Sequence, residues 1–152
     1  TSITSVANLS QHLLTKSLPT ESTPLNTMNE ATHTTLVNSL HLPLPSHLKL
    51  YHAFENVDRG DYFTAAVRDA VPNSTFYANK PLKFGSEHQS APFIYAKALS
   101  ALEIEGLKPL HFLNVGSGTG YMQALVANAL PHGSVLHGIE LNPELVGQSN
   151  ER

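Results

Sequence analysis

The hydrophobic pattern changes three times between residues 111 and 141, and each change predicts a different element. A short apolar run at 112–115 stops at three closely spaced glycines, after which apolar residues recur at helical spacing from Tyr121 to Ala127. A second apolar run, residues 135–141, follows this helical stretch. The pattern predicts a strand, a glycine-rich turn, a helix and a second strand, which together make one βαβ unit.

The glycine-rich turn is the first candidate for chemistry. Gly116, Gly118 and Gly120 form the sequence GSGTG, where the missing side chains let the backbone approach a ligand and the helix N-terminus offers N–H groups to polar or negative atoms. Glu140 lies 20 residues beyond Gly120, a distance at which an acid can bind the hydroxyls of a ribose. The spacing favours an adenosine-containing cofactor, and the alternative is a turn that binds no ligand.

The first 28 residues differ in composition from the rest of the chain. They are rich in serine, threonine, leucine and proline and contain no acid before Glu21. We therefore expect an N-terminal extension at 1–28, with a short amphipathic helix at 6–14, and a separate domain at 29–152. The extension is interpreted either as the remnant of an organelle-targeting sequence or as a partner-binding arm.

Within the second domain, residues 30–40 and 48–57 have helical patterns separated by a proline-rich break. After Glu140, Asn142 and Pro143 predict the cap and first turn of a further helix, and the chain ends at Arg152 before any third strand. A doubly wound sheet normally has more strands. We expect a domain that is incomplete at its C-terminus and belongs to a longer polypeptide, and docking on a partner is the alternative.

Composition excludes several classes of function. A net charge of −3 without a basic cluster argues against nucleic acid as the main partner, and no apolar run approaches the length of a membrane span. The nine histidines are scattered and there is no cysteine, so we predict no metal site. The compartment is predicted to be the cytoplasm, with a mitochondrion or another organelle as the alternative.

Three segments in a fixed order carry a resemblance to a known family. GSGTG resembles motif I of S-adenosylmethionine-dependent methyltransferases, and it follows VDRGDYF at 57–63 and SEHQSAPFIYAKALSALE at 86–103. The combination resembles the protein-L-isoaspartate O-methyltransferase family. HQSAPFIY at 88–95 and LNVGSGTG at 113–120 are most similar to its divergent branch of methyltransferase domain-containing proteins. The implied class is α/β, a Rossmann-like S-adenosylmethionine-dependent methyltransferase fold of which this chain holds the N-terminal helices and the first βαβ unit.

The resemblance also implies site residues. The active-site serine falls on Ser90. The S-adenosylmethionine contacts fall on the glycine loop and the end of the second strand: Gly116, Ser117, Gly118, Thr119, Gly120, Glu140 and Leu141. Further substrate or cofactor contacts are implied at Glu87, His88, Gln89 and Tyr95. Tyr95 replaces a histidine of the family, and Asn114 replaces the acid that usually precedes the loop.

Simpler structural roles stand beside these. Ser90 precedes Pro92 and an apolar helical stripe, and so predicts the N-cap of that helix. Tyr95 lies on the stripe and is expected to pack in the core. Asp58, Arg59 and Asp61 are expected to tie down a turn after the helix at 48–57 through an exposed charged pair, and part of a substrate-facing loop is the alternative. Glu87 would repel a carboxylate substrate if it faced the reactive pocket.

Two functions are compatible with this reading. The first is methyl transfer to the carboxylate of isoaspartyl residues in damaged proteins, in which an acceptor with a pKa of about 4 is already ionised at pH 7 and needs chiefly alignment. The second is an inactive paralogue that serves as an adaptor or structural subunit of a larger complex. The partners are then either proteins and peptides with isoaspartyl residues or the other subunits of that complex.

Overall fold

A computed structural model describes residues 31–44, 46–106 and 108–151 of the chain. The predicted helix at 6–14 and the domain boundary near residue 29 lie outside these residues, so both stay predictions. Three helices and a pair of strands are followed by alternating helices and strands, and two short 3₁₀ turns lie at Arg59–Tyr62 and Asn73–Tyr77. The elements are α1 (His33–Ser39), α2 (Leu48–Asn56), α3 (Ala65–Ala70), β1 (Leu82–Phe84), β2 (Glu87–Gln89), α4 (Pro92–Ala101), β3 (His111–Val115), α5 (Tyr121–Ala129), β4 (Val135–Ile139) and α6 (Pro143–Asn150).

The predicted βαβ unit is confirmed. Strands β3 and β4 pair in parallel, from His111 opposite Val135 to Val115 opposite Ile139, with α5 as the connection between them. Parallel strands need a crossover of this kind. The carboxyl end of β3 therefore leads directly into the glycine loop, which we define as residues 116–120.

The two faces of this small sheet differ. Phe112 and Leu136 turn toward the helices and pack against the main core. The opposite face is open in the described part of the chain, where Leu113, Val115 and Ile139 are 57%, 73% and 50% exposed. Sheets of the doubly wound type are covered on both faces, so the described residues contain one of the two layers that this fold requires.

The main core lies between α2, α4 and α5. Each helix contributes apolar residues at helical spacing to a shared cluster. Its fully buried members are Leu50, Ala53, Leu99, Leu125, Val126 and Ala129. This packing holds the N-terminus of α4 and the N-terminus of α5, and hence the segments just before them, on the same side of the domain.

A β-hairpin that the hydrophobic pattern did not predict lies between α3 and α4 along the chain. Strands β1 and β2 are antiparallel, and Phe84 pairs with Glu87 across a two-residue turn. Gly85 occupies the turn with φ of +59°, a conformation that glycine adopts without steric cost. Phe84 packs edge-on against Phe63 and Phe76, which form a second small core.

The last predicted helix is also confirmed, because Asn142 caps α6 by accepting the N–H of Glu144 and Pro143 stands in its first turn. No described helix is long and apolar enough to cross a membrane. In the same residues there is no group of three or more potential metal ligands.

Candidate cofactor and acceptor site

The glycine loop adopts a backbone that its sequence dictates. Gly116, Gly118 and Gly120 all have positive φ, at +80°, +57° and +89°, where residues with a side chain are strained. A Cβ at Gly116 would meet nothing within 4 Å, and one at Gly118 would find its nearest atom at 3.9 Å. A Cβ at Gly120 would lie 2.6 Å from Ser149 Oγ. The first two glycines thus keep space open for a ligand, whereas Gly120 permits close packing of α6.

Helix α5 begins directly after the loop. Its N-cap is Gly120, and no side chain caps its N–H groups. The first N–H groups of a helix have no partner within the helix and attract negative or polar atoms. The helix end therefore presents hydrogen-bond donors to the space beside the loop, as the sequence predicts, whereas the N–H groups of Gly116, Ser117, Gly118 and Gly120 already donate within the protein.

Glu140 lies beside this loop at the end of β4. Its Oε2 accepts the N–H of Gly118 at 2.8 Å, and its Oε1 accepts those of Leu141 and Asn142 at 2.8 and 2.9 Å. These backbone donors, chiefly Asn142 and Gly118, lower the pKa of the Glu140 carboxyl. Since a carboxylate has about four acceptor positions, Glu140 both holds the loop and keeps acceptor capacity for a ligand hydroxyl.

A cleft of about 150 Å³ joins the glycine loop to the segment that carries Ser90. We define residues 87–90 as the serine segment. The cleft is lined by polar and aromatic side chains and by loop backbone: His88, Gln89, Ser90, Tyr95, Asn114, Gly116, Ser117, Gly118, Thr119, Tyr121 and Met122. The structure thus brings together eight of the predicted site residues from two distant parts of the sequence. Of the others, Glu140 and Gly120 support the loop, and Leu141 is 96% exposed beyond it.

The prediction that Ser90 caps α4 is wrong. The N-cap is Ala91, and Pro92 is the first helical residue. The residue before a proline is held extended, and Ala91 has ψ of 138°, so the cap position falls one residue later than the polarity of Ser90 suggests. No hydrogen bond within the described residues engages the Ser90 hydroxyl, which lies half-buried in the cleft lining.

The backbone of Ser90 is held on both sides. Its N–H donates to Tyr95 Oη at 2.9 Å, and its carbonyl accepts a bond from Arg59 Nη2 at 3.1 Å. The Tyr95 ring packs edge-on against Tyr121 with centroids 5.5 Å apart. Tyr95 therefore packs against the core as expected and also lines the cleft, where it holds Ser90. Its contact with a ligand stays a prediction.

Glu87 does not take the position that would repel a carboxylate substrate. It is 5% exposed, and its carboxylate accepts both the N–H and the hydroxyl of Thr64, at 2.9 and 2.7 Å. It lies outside the cleft lining. The next residues, His88 and Gln89, do line the cleft.

Arg59 supports the cleft from a position that its sequence did not predict. It is fully buried rather than exposed in a turn, so the expected surface pair with Asp58 is wrong. Asp58 caps the following 3₁₀ turn through Gly60 N–H, and Tyr77 Oη donates to it at 2.9 Å. The exposed ion pair in this region joins Asp61 and Arg68 at 3.3 Å.

The Arg59 guanidinium makes five hydrogen bonds. It donates to four backbone carbonyls and one side chain: Phe76 O, Ala78 O, Lys80 O, Ser90 O and Gln89 Oε1. Burial lowers the pKa of Arg59, yet a guanidinium stays protonated in proteins. The VDRGDYF segment was the signal for this role, but composition alone does not distinguish a buried arginine from an exposed one.

The fold and the cleft define a class of protein first. Two solved methyltransferase structures share this fold. One, a protein-L-isoaspartate O-methyltransferase, has a TM-score of 0.65 at 19% identity over 79% of this chain and 37% of its own. The other comes from Plasmodium falciparum and is described as a putative protein-L-isoaspartate O-methyltransferase, a beta-aspartate methyltransferase, in complex with S-adenosyl-L-homocysteine. It has a TM-score of 0.61 at 27% identity over 78% of this chain and 53% of its own. The described residues are therefore part of a Rossmann-like methyltransferase domain.

The sequence narrows this class. The chain belongs to the protein-L-isoaspartate(D-aspartate) O-methyltransferase family, whose model matches residues 32–152. A protein-L-isoaspartate O-methyltransferase of Caenorhabditis elegans is 31% identical over 68% of this chain and 42% of its own length. Protein-L-isoaspartate O-methyltransferase 1 of Arabidopsis thaliana is 38% identical over 64% of this chain and 40% of its own length.

Membership confirms the family resemblance seen in the sequence, whereas the likeness to the divergent branch stays a prediction. The chain spans about two-fifths of the length of the curated relatives it matches.

Proposed function

We propose that the cleft is the cofactor and acceptor site of a methyltransferase that esterifies the carboxylate of isoaspartyl residues in proteins. The observation that supports this most strongly is the meeting of the glycine loop and the serine segment in one cleft. The glycine loop, as the first wall of the cleft, provides the open backbone space of a nucleotide-type site, and the N-terminus of α5 provides its N–H donors. The second places the Ser90 hydroxyl beside them.

The residues present fit S-adenosylmethionine. Open space at Gly116 and Gly118 allows close approach of a ligand, and the uncapped N-terminus of α5 favours a negatively charged group. Glu140, which directly follows β4, keeps acceptor capacity for a hydroxyl of the ribose beside the three N–H groups that it already accepts. When bound, this cofactor supplies an electrophilic methyl group on a positively charged sulfur.

The chain's own residues then have to orient the acceptor. A carboxylate with a reference pKa of about 4 is ionised at pH 7 and needs no general base. The cleft lining contains no aspartate, glutamate, lysine or arginine among the described residues, so no like charge opposes an anionic substrate. The hydroxyl of Ser90 is free to donate to one acceptor oxygen and leave the other directed at the methyl.

Methyl transfer is favoured over the adaptor hypothesis, because the relatives are named as methyltransferases. Proteins and peptides that carry isoaspartyl residues are the proposed partners. The cytoplasmic location, the interpretation of residues 1–28 and the exclusion of nucleic acid as main partner stay predictions.

The test uses the full-length polypeptide. It is titrated calorimetrically with S-adenosylhomocysteine and then assayed for methyl ester formation on an isoaspartyl peptide and on the matching aspartyl peptide. We expect binding, with methylation of the isoaspartyl peptide alone. Gly118→Asp should abolish binding because the new side chain fills the ligand space, whereas Gly147→Asp, at an exposed position with nothing within 4 Å of its Cβ, should not.

Two outcomes would contradict the proposal. Unchanged affinity in the Gly118→Asp variant would show that the site lies elsewhere. Tight cofactor binding without ester formation would support the adaptor hypothesis instead.

A further inference from the structure

A chain of hydrogen bonds links the two walls of the cleft through Arg59. Arg59 Nε donates to Gln89 Oε1 at 3.2 Å. Gln89 Nε2 donates in turn to Tyr62 O at 2.9 Å and to Thr119 Oγ1 at 3.4 Å. Gln89 and Thr119 are 2% and 3% exposed, so bulk water does not compete for these bonds.

The direction of each bond in this chain is determined. A guanidinium has donors and no acceptor, so the oxygen of the Gln89 amide must face Arg59 and its nitrogen must face Thr119. The Thr119 oxygen is therefore an acceptor toward Gln89. Its hydroxyl hydrogen has no acceptor among the described residues, and the side chain lies in the cleft lining.

We infer that Arg59 and Gln89 are positioning residues, which fix the Thr119 hydroxyl as a hydrogen-bond donor toward an acceptor oxygen of the bound ligand. The ligand group is a carboxylate, either the one at the amino-acid end of the cofactor or the one on the substrate. This inference rests on the proposed function, since it requires that the cleft binds these ligands.

The inference depends on the amide of Gln89. This side chain accepts from Arg59 and donates to Thr119, so it passes the direction of the hydrogen bonds from the arginine to the glycine loop. An aliphatic side chain at this position would only pack.

The test reverses the direction of the last bond. Gln89→Glu retains an oxygen toward Arg59 but replaces the donor nitrogen by an acceptor, so that the Thr119 hydroxyl turns toward position 89 and away from the ligand. Affinity for S-adenosylhomocysteine and KM for an isoaspartyl peptide are measured in the full-length polypeptide with and without Thr119→Val. The free energy of unfolding is measured alongside.

We expect Gln89→Glu to weaken the binding of one of the two ligands by about tenfold, the equivalent of one hydrogen bond. In the Thr119→Val background the same substitution should weaken binding by less than twofold. A loss in the affinity for S-adenosylhomocysteine assigns the carboxylate to the cofactor. A loss confined to KM for the peptide assigns it to the substrate. Thr119→Ser should preserve both binding and its sensitivity to Gln89→Glu.

Asn128→Asp controls for the added charge, because Asn128 is exposed on α5 outside the cleft. This substitution should change the affinity for neither ligand by more than twofold. If Gln89→Glu fails to fold, Gln89→Met removes the link without adding charge and should show a two- to threefold loss that depends on Thr119. Equal losses with and without Thr119→Val, or no loss in either ligand, would overturn the inference. If the folded parent protein bound no S-adenosylhomocysteine, the proposed function would be wrong, and so would the proposed bond from Thr119 to a ligand.

Discussion

The two walls of the cleft are built in different ways. The glycine loop owes its shape chiefly to its own backbone, since three of its five residues have positive φ, and the bonds from Gly116 and Ser117 N–H to Ile139 O then tie it to β4. The serine segment owes its position to side chains from elsewhere, above all to Arg59, which lies 31 residues before Ser90. The shape of the first wall is thus encoded largely by its own glycines, and the second wall depends on side chains outside its segment. Substitutions in the two walls should therefore differ in their effects on stability and on cofactor binding.

The largest effect is expected at Arg59. Arg59→Met leaves four carbonyls and the Gln89 amide without their donor in a buried region. Each buried acceptor left unsatisfied costs about 1–3 kcal/mol, so the free energy of unfolding should fall by about 3 kcal/mol or more. Urea denaturation measures this change.

Arg68→Met is the matched control. Arg68 pairs with Asp61 at the surface, with 45% of its side chain exposed, and such pairs contribute about 1 kcal/mol at most. Equal losses at positions 59 and 68 would show that the buried network does not hold the serine segment.

The second effect separates two glycines of the same loop. Gly120→Ala adds a Cβ that meets Ser149 Oγ at 2.6 Å in addition to unfavourable φ, and should destabilise folding by about 1–3 kcal/mol. Gly118→Ala has similar backbone strain but open space beside it. It should therefore lose more in cofactor affinity than Gly120→Ala does, and less in stability.

Thermal or chemical unfolding and calorimetric titration of both variants measure this difference. Identical profiles for the two substitutions would mean that the loop has no distinct ligand side and packing side.

A third, smaller effect compares two tyrosines that touch. Tyr95→Phe removes the bond to Ser90 N–H and should cost about 1 kcal/mol of stability. Tyr121 is 2% exposed, and its hydroxyl has no hydrogen-bond partner among the described residues. Tyr121→Phe should therefore be neutral or stabilising by up to about 1 kcal/mol. Denaturation curves of the two variants, recorded side by side, decide this, and a reversed order would contradict the assigned contacts.

The smallest effect is a pH dependence of the glycine loop. Glu140 is a half-buried carboxylate whose pKa is lowered in the folded state from 4.5 by backbone N–H groups. Its contribution to stability is fully present above the unfolded pKa and is lost as the pH falls through the folded pKa. Denaturation between pH 3 and pH 7 should show a shallower decline on the acid side for Glu140→Gln. A decline as steep as that of the parent would mean that other groups account for the acid sensitivity.

The sequence alone determined the glycine loop, the βαβ unit around it and the cap of α6. The loop depends on glycines such as Gly118 with its positive φ, the cap depends on Asn142 with its hydrogen bond to Glu144, and the βαβ unit follows from the hydrophobic pattern of its successive elements. Local steric and hydrogen-bonding preferences are visible in a single sequence. The family resemblance added the pairing of this loop with Ser90.

Tertiary structure alone decided which polar side chains are buried and which way they face. The sequence pattern predicts Arg59 at the surface and Ser90 as a cap, and the family resemblance implies Glu87 as a contact in the pocket. In the structure Arg59 is buried, Glu87 accepts bonds from Thr64, and Ala91 holds the cap position. A buried charge is tolerated only when the fold supplies its hydrogen-bond partners. Because the partners of Arg59 are 17 to 31 residues away, the pattern around Arg59 itself could not reveal them.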